Sequence, residues 1–172
     1  MIHLQAMVYI LMKDRPQNSY EEWQSAWSKY CAYLESVREQ LPNSAYEFAA
    51  APWHYDFGDH RAPHDGWVEE LIIREPAAGD RKQNRSLEIH VRLDAAYHDG
   101  HIELSYSGVR SYSLDSGLTN GLGHGDWLYD EIRLSKHGAV LHEVEWSNGG
   151  LWLIECEDVV YQWRPVGAED AV

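Results

Sequence analysis

Between Tyr97 and Trp163 short apolar runs alternate with turn residues, beginning at Tyr97-His98-Asp99-Gly100-His101 and ending at Val159-Val160-Tyr161-Gln162-Trp163. Strand-length runs at this spacing commit the chain to an antiparallel sheet and make what precedes them its cover or edge. Leu87, Ile89, Val91 and Leu93 alternate with Glu88, His90, Arg92 and Asp94, the period of a half-buried strand. With Asp99-Gly100 as a two-residue hairpin loop, Leu93, Ala95 and Tyr97 meet Tyr106, Leu104 and Ile102 on one face, while Arg92 and Asp94 lie opposite Ser107 and Ser105 on the other. The final third reads as a meander of strands 128–135, 140–146, 151–156 and 159–164. A turn at Asn148-Gly149 pairs Trp146 with Leu151 and Val144 with Leu153, and a bulge at Gly138 sets Ile132 against Val144.

The earlier residues supply cover. Positions 1–13 alternate loosely, which permits a strand, and 14–18 read as a turn. Ser19 with Glu22 three residues later is a capping box that starts a helix. Tyr20, Trp23, Trp27, Tyr30, Leu34, Val37 and Leu41 then form one aromatic-rich stripe, suited to packing on a sheet. Pro42 and Asn43 end that helix, and Ser44 caps a short second one that Pro52 stops. The expected fold is therefore α+β in a single domain, 1–172. Residues 1–52 are mainly helical cover, 53–66 an irregular His- and Asp-rich segment, 67–166 the sheet, which opens with a strand at 67–74 and a basic loop at 75–85, and 167–172 an acidic tail. The sheet is expected to be strongly twisted, curled toward a barrel, with about seven strands.

Charge narrows the function. Lys and Arg total 14 against 28 Asp and Glu, a formal charge of −14. That excludes a broad basic surface for nucleic acid or anionic membrane and favours a basic protein partner. The apolar run 6–12 has its cations after it and is shorter than the roughly 20 residues a membrane span needs, so it reads neither as a signal peptide nor as an anchor. Cys31 and Cys156 fall in apolar-patterned elements, so both are expected to be buried free thiols, as suits the cytoplasm.

Three stretches could carry chemistry. His54, Asp56, Asp59, His60, His64 and Asp65 lie within twelve residues. A metal-dependent hydrolase would draw its ligands from His54, His60, His64 and Asp65, although Gly58 and Pro63 interrupt the segment, so that even His60 and His64, four residues apart, present no rigid helical ligand face. His124 and Asp126, with Tyr129, Asp130 and Glu131, stand beside a glycine-dense loop and could combine with His98 or His101 for acid and base work. The third is a surface. Glu131, Glu143 and Glu145 can share a face with Trp127, Tyr129 and Trp152, aromatic area among carboxylates of the kind a basic partner would meet.

From Pro63 onward, His64-Asp65-Gly66 plus a strand, Tyr97-His98-Asp99-Gly100 plus a strand, and Gly123 through Glu131 plus a hairpin resemble a group of small bacterial proteins. These have a helical N-terminal segment, a His-Asp-small motif and a curled antiparallel sheet, and some are assigned as immunity proteins of polymorphic toxin systems. The resemblance implies a cytoplasmic, non-enzymatic binder that neutralises a basic toxin domain, with no cofactor and no catalytic residues to carry over.

Overall fold

Ser19 starts the first helix as its spacing to Glu22 requires. Its hydroxyl accepts the Glu22 N–H at 3.2 Å while the Glu22 carboxylate accepts the Ser19 N–H at 3.1 Å. The computed structural model describes residues 9–11, 19–119, 121 and 123–167, so most of the expected strand in 1–13, the turn at 14–18 and all but the first residue of the tail lie outside the described residues. Helix α1 (Tyr20–Val37) runs into a 3-10 turn, Arg38–Gln40, and then α2 (Asn43–Ala49). Pro42, rather than Ser44, precedes α2, and the Ser44 hydroxyl instead donates to Asp158 at 2.6 Å. The stripe on α1 buries Tyr30, Leu34 and Val37, whereas Tyr20 stays exposed. Cys31 is also exposed, contrary to expectation, while Cys156 is buried and its thiol is pushed up to about 12 by desolvation.

Ten strands follow, not seven: β1 (Trp67–Arg74), β2 (Ala77–Ala78), β3 (Asn84–Arg85), β4 (Glu88–Asp94), β5 (Gly100–Ser107), β6 (Ser111–Asp115), β7 (Trp127–Leu134), β8 (Val140–Trp146), β9 (Leu151–Cys156) and β10 (Asp158–Pro165). They form two open antiparallel sheets, ordered β1-β4-β5-β10 and β6-β9-β8-β7, plus a small β2–β3 hairpin within the basic loop. No barrel closes. The chain changes sheet between β5 and β6, where Arg110 N–H donates to Glu155 O at 2.7 Å, and again between β9 and β10, where Glu157 N–H donates to Ser107 O at 3.0 Å. Ile89, Val91, Leu93, Ile102, Leu104 and Tyr106 from the first sheet share one core with Val140, Val144, Trp146, Trp152 and Ile154 from the second.

Loop lengths corrected the registers. Ala95 N–H donates to Gly100 O, so four residues rather than two turn the β4–β5 hairpin, and Leu93 pairs with Ile102 instead of Tyr106. This slip of four positions preserves the faces, because side chains alternate with period two. The β7–β8 loop behaves alike: Gly138 takes φ +72°, and Ile132 pairs with His142 rather than Val144. The β8–β9 loop does not. Trp146 N–H donates to Gly150 O, three residues turn the chain with Gly149 at φ +85°, and Val144 pairs with Trp152 instead of Leu153. A slip of one residue turns Trp152 inward and Leu153 outward.

The β7 edge is closed by hydroxyl groups. Tyr30 accepts the Ile132 N–H at 2.8 Å and donates to Ile132 O at 3.0 Å, Tyr33 accepts the Leu134 N–H at 2.8 Å, and Tyr55 donates to Asp130 O at 2.6 Å. The aromatic stripe thus serves as sheet-edge protection as well as packing. Tyr30→Phe and Tyr33→Phe are expected to speed hydrogen exchange at Ile132 and Leu134 respectively, each by about fivefold if one net hydrogen bond of ~1 kcal/mol is lost. Unchanged exchange at both amides would show that packing alone protects this edge.

Candidate functional site

The expected aromatic–acidic patch is split by the register. Leu128 is an extra residue between the pairs Trp127–Trp146 and Tyr129–Glu145, so Trp127 and Tyr129 face opposite ways despite their even spacing. Trp127 and Trp152 are buried between the sheets. Glu131, Glu143 and Glu145 do share the other face with Tyr129, yet all three carboxylates are buried and Tyr129 is half-buried. They therefore cannot themselves form an exposed docking face. Glu131 accepts N–H groups from Tyr9 at 2.6 Å, from Leu11 at 3.0 Å and from Ile10 between them. Arg133 lies beside it, with Nε 3.4 Å from Glu131 Oε2, and its Nη2 bonds Glu143. Burial raises the Glu131 carboxyl above its ordinary value, against the amide hydrogen bonds and the arginine charge.

The His- and Asp-rich segment does not converge on one point. His54 is buried, His60 Nδ1 reaches Asp99 at 2.5 Å near the surface, and His64 stacks on Phe57 with its own neighbour Asp65 at 3.1 Å. His54 instead joins a polar network in the core. Its Nδ1 lies 2.8 Å from Phe48 O and its Nε2 2.9 Å from Asp130, which also receives His142 Nε2 at 2.9 Å and the Trp127 indole N–H at 3.0 Å. His142 Nδ1 meets the Tyr106 hydroxyl at 2.8 Å. The Phe48 carbonyl and the Asp130 carboxylate both accept, so each ring nitrogen of His54 faces an acceptor. Burial pushes the Asp130 carboxyl up, but the His54 charge and the hydrogen bonds from His142 and His54 outweigh it and hold it well below the carboxylate range. With these side chains sealed from solvent, the network ties α2 and the segment after it to both sheets.

His124 and Asp126 lie elsewhere, in a cavity of about 570 Å³ lined also by Trp67, Val68, Leu118 and Asn148. Asp126 accepts the Trp67 indole N–H at 2.8 Å, and burial lowers the His124 imidazole below its ordinary value. Asp130 and Glu131 belong to the interior sites above, so the expected acid–base group is not assembled. The cavity adjoins the start of β1, where Asp65 N–H donates to Trp127 O at 2.8 Å and Trp127 N–H to Gly66 O at 2.9 Å.

From there β1 runs along the outside of the first sheet, paired among the described residues with β4 alone. None of its eight residues is buried; Trp67 is 49% exposed and Ile73 41%. Glu69 and Glu70 sit in its middle, and Leu71, Ile72 and Ile73 follow. An uncovered strand edge presents backbone donors and acceptors to any extended chain, and an adjoining pocket can select its side chains. Strand 67–74 was legible in the sequence, but its position at the edge was not, because strand order depends on pairings far along the chain. No protein-family model, curated protein or solved structure matches this chain.

Proposed function

We propose that the protein is a non-enzymatic acidic binder that takes an extended segment of a basic protein along the open edge of β1. The carrying observation is where the open edge of β1 lies: tyrosine hydroxyls close β7, and of β1, β6 and β10, which meet no strand of the described chain on their outer sides, β1 is the one that lines the cavity beside His124. Charge supports the same reading. Among the described residues the core takes four acidic side chains and one arginine, so most of the excess of 28 acids over 14 bases faces solvent. Main-chain hydrogen bonds would supply affinity, Asp126 and the cavity beside Trp67 selectivity, and the negative field a fast approach. The resemblance at Pro63 and beyond supports a bacterial toxin domain as the partner, with immunity-type inhibition in the cytoplasm.

The test uses an eight-residue peptide of alternating valine and lysine. Nuclear magnetic resonance shifts and slowed hydrogen exchange are expected at amides 67–74, weakening as salt rises, and the exposed substitution Ile73→Lys should weaken binding by about fivefold, the effect of ~1 kcal/mol of cross-strand repulsion. Shifts that map away from β1, or binding indifferent to Ile73→Lys, would overturn the assignment.

A further inference from the structure

Glu69 stands outside the regular ladder of β1. Val68 pairs with Leu93 and Glu70 with Arg92, which leaves Glu69 as the extra residue of a bulge, and bulges re-aim the side chains they carry. Its carboxylate comes to 3.1 Å from His101 Nδ1 and 3.0 Å from Arg92 Nε. Asp94 is the direct cross-strand partner of His101, and its own carboxylate is held by His98 Nδ1 at 2.6 Å. One ligand atom from each of Glu69, Asp94 and His101 lies within 4.8 Å of the other two, the one such group of three among the described residues. His101 Nδ1 is a buried atom without a hydrogen bond, close to Glu69 yet not aligned with it.

We propose that Glu69, Asp94 and His101 bind a divalent first-row transition-metal ion, with Zn²⁺ as the reference probe. One imidazole nitrogen and two carboxylates form a mixed donor set that suits such ions better than Ca²⁺ or Mg²⁺, which favour oxygen throughout. Donor atoms about 2.0–2.2 Å from Zn²⁺ stand roughly 3–3.5 Å from one another, the separation that Glu69 and His101 already show. Closing the third side takes a rotamer change at Glu69 or Asp94. Arg92 is the resident counter-charge on Glu69 and must give way, so it competes with the ion. Three protein donors leave coordination positions open to water or to an anionic ligand.

The metal alone is the probe, so this site and the peptide edge fail independently. Untagged, chelator-treated protein is titrated with Zn²⁺ by calorimetry, and Co²⁺ absorbance gives a second reading. One ion per chain is expected. His101→Ala and the exposed-residue change Glu69→Gln should each weaken binding by at least about tenfold, and Arg92→Met should tighten it, with the metal-free circular dichroism of Glu69→Gln unchanged. No saturable binding up to about 1 mM Zn²⁺, one-site binding that survives both His101→Ala and Glu69→Gln, or weaker binding in Arg92→Met would overturn the assignment.

Discussion

Asp130→Asn is expected to cost about 3–5 kcal/mol of folding stability at neutral pH, the range for removing one partner of a buried ion pair. The carboxylate takes donors from His54, His142 and Trp127 on its two oxygens. An asparagine offers one oxygen and turns an N–H₂ group toward donors, so at least one buried donor loses its acceptor and His54 loses the carboxylate it faces. Urea unfolding of both proteins at several pH values measures the effect. The Asp130 carboxyl is held well below its ordinary value in the folded state. Below about pH 3.9 the unfolded chain therefore binds the extra proton, and wild-type stability falls as pH falls toward the folded value. The asparagine variant lacks that slope, so the Asp130 contribution to the gap between the two proteins is lost only below about pH 4. A loss under about 1 kcal/mol would mean that the network is not a net contributor to stability.

What the sequence disclosed was local. The Ser19–Glu22 box starts α1 because both partners lie within one turn, and Trp67–Arg74 has the expected bounds because its apolar run is flanked by Gly66 and Pro76. Alternation in β4 and β5 placed Leu93, Ile102, Leu104 and Tyr106 inside even though the hairpin register was off by four. An odd error had the opposite consequence. One additional loop residue before β9 and one bulged residue in β7 each reverse a face, and together they moved Trp152 and Trp127 from the expected docking patch into the core. Long-range partners were hidden for a different reason. His54 and Asp130 are 76 positions apart, and nothing within either segment distinguishes a core ion pair from a wet loop histidine and an exposed carboxylate. The open edge of β1 and the cluster around Glu69 depend in the same way on strand order and on a bulge, which periodicity alone does not encode.

Arg133→Met is expected to be as damaging at neutral pH, about 3–5 kcal/mol, but to recover over a different range of pH. Methionine keeps much of the length of the side chain and removes its charge. Glu131 and Glu143 are direct cross-strand partners, both buried, and the variant leaves them facing each other without the arginine they share. Like charges directly opposite in a sheet repel, and little water reaches these two to screen them. The Glu131 carboxyl already lies above its ordinary value because of burial, and loss of the arginine moves it further in the same direction. A raised carboxyl means that the folded state binds a proton before the unfolded one does, so stability declines as pH rises through that window and returns as pH falls. The Arg133→Met deficit should therefore begin to shrink above the ordinary glutamate value of about 4.3, whereas the Asp130→Asn deficit shrinks only below about 3.9. Measuring both variants at pH 7, 6, 5 and 4 separates the two sites, although their residues alternate along a single strand: Asp130 faces the sheet–sheet core, and Glu131 and Arg133 face the other side. Deficits that shrink over the same pH range would mean that the two polar sites titrate as one.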